Sequence, residues 1–375
     1  MKSILQEIDT LRNGNPYVLD RMNRNRYRLV ANEKDGSQTA YYFSVPIYNE
    51  DTRKLVDLHF RNDAGKATLI GCNASITVDR DIAFVHRDDT CRLVLTSEFR
   101  ITEESVVYPD MEVSPTINGV LLQADLMGKG YRKFIFETQR PFYRVRSNNK
   151  YFAIMNDDFT PLVTVSCVGA LDQAGFVCAP VEVRFQKIND WCYELTFFSN
   201  HPNTKKIMFE INMQAEKLFQ DTTVESKHPD ENNVFGGTAY IGCSNAYGNQ
   251  WLYARPDYGI MNDLFRKKIK RAVMNIPILN DSHSRLSAVG LAARFCSFGS
   301  SWRNKKSGLR LSHQSKIISQ YHKIDVTDFI VKDQKLLTQS EGWIIKNAVT
   351  HSGISVVSTG DSFYAPQILE ISFRN

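Results

Sequence analysis

Apolar side chains recur at every second position along much of this chain, and that period limits the folds open to it more than any other feature. Between Lys206 and Met213 an apolar set alternates with a mixed set, Ile207, Phe209, Ile211 and Met213 against Met208, Glu210 and Asn212. Four further stretches have a similar character: Cys91–Phe99, Tyr131–Thr138, Pro180–Ile188 and Gln367–Phe373. Successive side chains of a strand point to opposite faces, so this pattern predicts half-buried antiparallel strands.

Turn-forming sequences separate these strands at short intervals. The clearest are Lys34–Ser37, Arg61–Lys66, Asn156–Pro161 and Ser199–Lys206. Short strands with frequent turns are typical of antiparallel sandwiches and barrels. No short repeat recurs along the sequence, which argues against a propeller or a solenoid. We therefore expect an all-β fold.

A change of composition near residue 220 predicts a domain boundary. At about 100–200 residues per domain, a chain of 375 residues has room for two or three domains. After the linker predicted at Ala215–Gln220, loops become rich in Gly, Asn and Ser, and three of the four tryptophans appear, Trp251, Trp302 and Trp343. The expected segments are a helical arm at 1–15, a β-rich attachment or structural domain at 16–220, and a second β domain at 221–375.

The first fifteen residues are the clearest helix signal. Ser3 is an N-cap candidate, and apolar residues from Ile4 to Leu11 fall on one helical face. We expect this arm to dock on its own fold or on a partner subunit. The same stretch lacks the uninterrupted apolar core of a signal peptide. No stretch approaches the roughly 18 apolar residues of a membrane span, so no membrane insertion is expected.

The charge balance is mildly basic, with a net charge of +5. That is far from the strong excess typical of nucleic-acid binders, so no nucleic-acid partner is expected. Part of the excess lies in Arg266–Arg271 and Trp302–Arg310. These stretches are interpreted either as solvated strand edges that discourage edge pairing or as a landing surface for an acidic polymer.

Seven cysteines occur without a Cys-x-x-Cys motif. Most lie within apolar strand-like sequence, for example Cys167, Cys178 and Cys192. Their odd number and apolar surroundings predict buried, reduced thiols and folding in a reducing cytoplasm.

Motifs of catalysis are missing from the sequence. The eight histidines include no His-x-x-x-His pair, and neither a phosphate-binding glycine loop nor a Gly-x-Ser-x-Gly elbow occurs. We therefore expect a non-enzymatic protein without a cofactor. A glycan-cleaving enzyme built on β-sandwiches stays open as an alternative, because carboxylate pairs cannot be recognised from spacing alone.

The polar loop His228–Asn233 is a candidate calcium site. It places Asp230, Glu231 and Asn233 together, and calcium prefers such oxygen ligands. The loop lacks EF-hand spacing, and a hydrogen-bonded Asx-type loop without a metal ion would use the same residues. Both interpretations stay open.

Two aromatic and basic stretches are candidate glycan-binding surfaces. Aromatic rings stack on sugar CH faces while charged and amide groups bind hydroxyl or carboxylate groups. The predicted ligand-binding residues are Tyr247, Trp251, Tyr253, Arg255, Tyr258, Trp302, Arg303 and Lys305. The alternative is that some of these rings belong to the core, as we expect for Trp343.

Six segments in order resemble the DNRLRE-domain family of disaggregatase-related carbohydrate-binding modules. They are Asp221–Gly242, Lys270–Ile278, Ser284–Phe295, Lys323–Ile330, Gly342–Asn347 and Ser358–Phe373. The matching positions are Asp221, Val224, Pro229, Asp230, Asn233, Gly236, Arg271, Ile276, Pro277, Leu286, Ala288, Val289, Leu291, Asp325, Val326, Thr327, Pro366, Leu369 and Ile371. The resemblance implies an antiparallel jelly-roll-like sandwich that binds polysaccharide without catalysis. The loop at 228–233 would then be an end-loop of the sandwich.

The first 220 residues are similar to the region that precedes this module in bacterial wall-associated and YD-repeat proteins. Ser44–Phe60, Cys72–Asp81 and Asp190–Ser199 stand in place of that region's segments. The resemblance extends the expected fold to two antiparallel, jelly-roll-like β-sandwich domains.

These observations lead to one main functional hypothesis. We expect a decoration, fibre or receptor-contact protein of a phage or phage-tail-like particle, made in the cytoplasm without a signal peptide. Its expected partners are a polysaccharide, other particle subunits, and further copies of itself. The basic stretches favour a polysaccharide that carries acidic groups. The alternative is a bacterial surface or exported polysaccharide-binding protein.

Overall fold

A computed structural model describes residues 25–374, except 34, 50–51, 53, 72–74, 87–88, 96, 127–129, 142–143, 203, 214–216, 282–283, 336–340 and 349–352. The predicted helical arm at 1–15 lies outside the described residues. So does Cys72, together with the first two positions of the predicted linker.

Strands account for 58% of the structure. In chain order they are β1 (Arg28–Asn32), β2 (Gln38–Phe43), β3 (His59–Asp63), β4 (Lys66–Ile70), β5 (Ser75–Val78), β6 (Asp81–His86), β7 (Asp89–Val94), β8 (Arg100–Ile101), β9 (Val106–Tyr108), β10 (Met111–Thr116), β11 (Gly119–Asp125), β12 (Tyr131–Thr138), β13 (Arg144–Ser147), β14 (Tyr151–Met155), β15 (Pro161–Leu171), β16 (Val177–Ala179), β17 (Glu182–Asn189), β18 (Cys192–Phe198), β19 (Lys206–Met213) and β20 (Phe219–Glu225). The remainder are β21 (Thr238–Ser244), β22 (Gly248–Pro256), β23 (Lys268–Asp281), β24 (Leu286–Leu291), β25 (Gly308–Gln314), β26 (Lys316–Ile318), β27 (Tyr321–Asp325), β28 (Trp343–Asn347), β29 (Ser355–Ser358) and β30 (Ile368–Arg374). These strands form antiparallel sheets, which confirms the predicted antiparallel all-β class.

Helices are few in the described part of the chain. A 3-10 helix covers Asn262–Arg266, and the helix α1 covers Thr327–Lys335. The Asp325 carboxylate accepts hydrogen bonds from the backbone amide and the hydroxyl of Thr327, at 3.0 and 2.6 Å, where α1 begins. None of the described helices is long and apolar enough to cross a membrane.

The chain divides into two compact units. The first unit comprises residues 1–48, 216–234 and 238–375, and the second comprises 49–215 and 235–237. The predicted segment 16–220 is therefore shared between them, because β2 pairs with β30 in the register Thr39↔Ser372. The predicted linker also differs from the structure, since Phe219 and Gln220 belong to β20.

The second unit contains two sheets. One has the order β17-β18-β12-β7-β6-β5-β4-β3, and the other has the order β13-β14-β15-β19-β11-β10-β9-β8 with β16 beside β15. Both sheets supply one apolar cluster. Within it the ring of Phe209 on β19 lies 4.1 Å from the ring of Phe197 on β18 and 5.4 Å from that of Phe134 on β12.

The first unit is built on a single connected sheet system of the order β1-β2-β30-β23-β29-β21-β22-β28-β24-β25. Strand β20 pairs with β22, and β27 pairs with both β23 and β26. Trp343 has no exposed surface, stacks against Phe329 of α1 and donates its indole N–H to the Met274 sulfur at 3.3 Å. The prediction that Trp343 belongs to the core is confirmed.

The cysteine prediction holds for part of the set. Cys91, Cys167 and Cys192 are buried and reduced, and burial raises the pKa of each thiol. Cys178 is half-buried, whereas Cys243 and Cys296 are exposed free thiols. The last two correct the expectation of burial, because Cys243 lies near the β21–β22 turn and Cys296 lies in the loop after β24.

Candidate functional site

Two tryptophan rings meet on one face of the first unit. Trp251 lies on β22, beside Val224 of β20, and Trp302 lies in the loop between β24 and β25. Their ring centroids are 4.8 Å apart and the planes are inclined by 52°. Both residues are half-buried, because they pack against an apolar cluster that includes Val224, Phe295 and Ile344.

Each tryptophan ring has a lysine ammonium group above it. The Lys305 Nζ lies 4.5 Å from the Trp302 ring centroid, and the Lys346 Nζ lies 5.4 Å from that of Trp251. Cation–π attraction favours this placement of each amine over its ring. We call Trp251, Trp302, Lys305 and Lys346 the tryptophan patch.

Four of the predicted glycan-binding residues are buried, which corrects their assignment. Tyr247, Tyr253, Tyr258 and Arg255 are between 0% and 6% exposed. The Tyr253 hydroxyl donates to the Lys306 carbonyl at 3.0 Å, and burial raises its pKa to about 12. The β24–β25 loop thus covers Tyr253, although Trp251 two positions earlier on the same face stays half-exposed.

The other buried members of that set have structural partners. The Tyr258 hydroxyl donates to Asp333 of α1 at 3.0 Å; burial, followed by the Asp333 carboxylate, raises the pKa of this tyrosine well above its ordinary value. The Arg255 guanidinium donates to the Gln220 side chain on β20. These side chains tie elements together and offer no face to a ligand.

Arg303 connects two loops instead of facing solvent as a free cation. Its guanidinium donates two hydrogen bonds to the Asp230 carboxylate, the Nη2–Oδ2 distance being 2.7 Å. Its amide N–H donates to the Pro229 carbonyl at 2.9 Å. The hydrogen bonds from Arg303 hold the pKa of Asp230 below its usual range. Both side chains are exposed, and Arg303 directly follows Trp302 in sequence.

The predicted calcium set does not assemble around free oxygen atoms. Asp230 accepts the two bonds from Arg303, and the buried Asn233 amide donates to the Thr223 carbonyl at 3.2 Å. Asn232 donates to the carbonyls of Ser297 and Ser300 at 2.6 and 2.8 Å. The loop is held by hydrogen bonds, which favours the metal-free interpretation. Calcium binding by Asp230 and Asn233 stays a prediction.

Glu231, the third predicted ligand, lies in a different group. Its carboxylate lies near the Glu225 carboxylate and the His228 imidazole. One candidate ligand atom from each of the three residues lies within 4.8 Å of the other two. Histidine pairs do not reveal this group, because it contains one histidine between two glutamates at the spacing Glu225-x-x-His228-x-x-Glu231. Lys346 carried no sequence signal, because the pairing of β22 with β28 joins strands far apart in the chain.

No protein-family model matches this sequence, and none of the curated proteins matches it. The function is therefore inferred from the chain's own side chains, chiefly from the half-buried rings of the tryptophan patch and the ammonium groups above them.

Proposed function

We propose that this protein is a non-enzymatic structural and adhesive component of a phage or phage-tail-like particle, and that the tryptophan patch contacts a glycan on the host surface. The observation that carries the proposal is the pair of half-buried rings of Trp251 and Trp302, 4.8 Å apart. Aromatic residues held in this way present rigid apolar surface to a ligand at low entropic cost.

The geometry of the patch suits a sugar polymer. Two rings inclined by 52° can contact CH faces of adjoining units in a chain that bends between them. The amines of Lys305 and Lys346 each lie over one face of a ring, and their charge suits carboxylate or sulfate groups. An acidic polysaccharide is therefore the ligand class that we propose.

We infer that both units are β-sandwiches and that the first unit is jelly-roll-like. In the second unit, the contact of Phe209 with Phe134 and Phe197 supports packing of the two sheets face to face. In the first unit, the segments that resemble DNRLRE domains fall on β20, β23, β24, β27 and β30. Large core residues such as Trp343 lie among these strands.

A particle protein would be assembled with other subunits, and with further copies of itself, before release from the cell. The free thiols, including the exposed Cys243 and Cys296, are compatible with assembly in a reducing cytoplasm. Genes for portal, sheath or capsid proteins beside its own would favour this assignment over an exported polysaccharide-binding protein.

The test is glycan-array binding by the full chain and by single variants. We expect Trp302→Ala to weaken binding to acidic polysaccharide by about 10- to 100-fold, or about 1–3 kcal/mol, as for an aromatic interface anchor. Trp302 is the better choice, because it lies in the loop between β24 and β25, whereas Trp251 lies within β22, which pairs with β20 and β28. Circular dichroism should show an unchanged fold.

The matched control is Trp191→Ala. Trp191 is 52% exposed and lies between β17 and β18 of the second unit, so its loss should leave glycan binding unchanged. Equal losses in both variants, or no binding of the unmodified protein to any polysaccharide, would remove the glycan-binding part of the proposal.

A further inference from the structure

We infer that Glu225, His228 and Glu231 bind a divalent transition metal ion such as zinc. Their candidate ligand atoms all lie within 4.8 Å of one another, close enough for one ion to contact all three after small side-chain rotations. This site does not depend on the glycan-binding proposal, and it differs from the predicted calcium site by including an imidazole and excluding Asp230 and Asn233.

The local fold brings the three side chains together from seven consecutive residues. Glu225 is the last residue of β20. It is followed by a turn in which the Glu231 amide donates to the His228 carbonyl at 3.1 Å. A turn of this kind places its first and last residues side by side. The segment is held by Ser226, whose amide donates to the Asn249 carbonyl at 3.0 Å.

Close approach of two backbones fixes the start of this segment. Gly248 has a φ of 65°, and a Cβ there would lie 2.2 Å from the Ser226 hydroxyl oxygen. The same hydroxyl accepts a hydrogen bond from the Asn249 amide at 2.9 Å. Only glycine allows this approach, so the β21–β22 turn supports the segment that carries the three ligands.

A group outside the cluster orients the innermost carboxylate. Glu225 has no exposed surface, and its Oε2 accepts a hydrogen bond from the Gln250 amide at 2.7 Å. The Gln250 side chain is in turn held in place, because its oxygen Oε1 accepts a hydrogen bond from the Tyr240 backbone N–H. The other oxygen, Oε1, lies 2.6 Å from His228 Nδ1. Outer partners of this kind are what hold metal-ligating carboxylates in position.

The donor set selects the class of ion. Buried carboxylates in proteins are paired or coordinate metal ions, and the Glu225 carboxylate has the His228 imidazole at 2.6 Å and the Glu231 carboxylate within 4.8 Å. One nitrogen and two oxygen donors suit zinc and related ions, whereas calcium takes six to eight oxygen ligands. The ion would replace the contact between His228 Nδ1 and Glu225 Oε1, with the remaining coordination positions left to water.

The test is metal binding by the full chain after treatment with a chelator. We expect zinc to bind with 1:1 stoichiometry by calorimetry and cobalt to bind with visible absorption bands of a nitrogen- and oxygen-ligated ion. His228→Asn and Glu231→Gln should each weaken zinc binding at least tenfold. Both side chains are partly exposed, so these variants should fold, as checked by circular dichroism.

Asp230→Asn is the matched control, because Asp230 is a carboxylate of the same loop that pairs with Arg303 and lies outside the cluster. It should bind zinc as the unmodified protein does. Three results would each overturn the inference: no zinc binding, equal weakening by Asp230→Asn, or binding that His228→Asn and Glu231→Gln leave unchanged. A preference for calcium over zinc would also overturn it.

Discussion

At the scale of single residues, burial disfavours the charged form of one carboxyl group in the first unit. Asp221 on β20 is 3% exposed, and its carboxylate accepts a hydrogen bond from the Gly360 amide at 2.6 Å. Burial raises its pKa to about 6, although the nearby Lys217 and the Gly360 hydrogen bond oppose the shift. The carboxyl group that joins β20 to the loop at 359–365 therefore changes its charge at about pH 6 in the folded protein.

Asp221 gives a prediction for stability against pH. Since its folded-state pKa is above the unfolded value of 3.8, the folded state holds the extra proton between about pH 4 and pH 6. The free energy of unfolding contributed by this group should fall as pH rises through that window. At about 1.4 kcal/mol per pKa unit, the change is on the order of 2–3 kcal/mol.

The check is chemical denaturation of the unmodified protein and of Asp221→Asn at several pH values. Asn keeps an acceptor for the Gly360 amide and has no charge to desolvate. We expect the variant to gain stability relative to the unmodified protein as pH rises from 4 to 7. Two curves that stay parallel across this range would show that Asp221 titrates normally.

At the scale of elements, β19 shows how far the alternating pattern predicts a strand. The strand and its apolar face, with Ile207, Phe209 and Ile211 buried, follow the prediction. Its other face was expected to be polar and half-exposed, yet Glu210 and Asn212 are 0% and 1% exposed. Alternation defines two faces, but it does not tell what covers the second face.

Hydrogen bonds explain how β19 tolerates burial of its polar face. The side-chain amide of Asn212 donates to the Glu210 carboxylate at 2.7 Å, and its oxygen Oδ1 accepts a hydrogen bond from the Thr116 hydroxyl at 3.0 Å. Thr116 lies 96 residues earlier in the chain. Partners so distant cannot be read from a local period, which is why sequence analysis finds strands better than their environments.

The candidate site divides in the same way. Trp251 and Trp302 were predicted from composition and lie together, whereas Tyr253 and Tyr258 looked equivalent in sequence and are buried. The β24–β25 loop covers Tyr253, and Tyr258 is bonded to Asp333 of α1. Both partners are distant in sequence, so the local pattern does not reveal them. The helix α1 was also missed, although Asp325 and Thr327 ahead of Phe329 and Ile330 form a recognisable helix start.

The loop contact of Asn232 yields a prediction at this scale. Its amide donates to the carbonyls of both Ser297 and Ser300, which ties the loop at 228–233 to the loop that carries Trp302. Asn232→Asp preserves shape but removes both donors. We expect a loss of about 1–3 kcal/mol in the free energy of unfolding, since the two carbonyls lose their partner and face a carboxylate.

Urea denaturation measures this loss, with Asn304→Asp as a comparison. Asn304 is exposed and its amide donates to a single carbonyl, that of Gly299 at 2.8 Å, so its replacement should cost less. A variant at 232 as stable as the unmodified protein would show that the two loops are held together by other contacts.

At the scale of the whole molecule, the first unit is assembled from both ends of the described chain. The hairpin of β1 and β2 joins it through β30, and its Tyr42 hydroxyl donates to Asp263 at 3.0 Å. All residues of the second unit lie between β2 and β30 in sequence. Cooperative unfolding should follow the units and ignore sequence order.

Native-state hydrogen exchange tests this expectation. We predict that amides of β2 open with the same free energy as those of β23 and β30, and that amides of β4–β7 form a separate group. The control is β19, which should exchange with β11 and β15 because it pairs with both. If β2 exchanged together with β4–β7, the division into units would not describe the folding of the protein.

The pairing of Thr39 with Ser372, which are 333 positions apart, has a consequence for synthesis. A ribosome finishes residues 49–215 long before it makes β30, so the second unit can fold while the β1–β2 hairpin still lacks its neighbouring strand. Until translation reaches residue 374, that hairpin presents an open sheet edge, the kind of surface that recruits chaperones or promotes aggregation. Premature termination should therefore yield products with an intact second unit and an incomplete, aggregation-prone first unit.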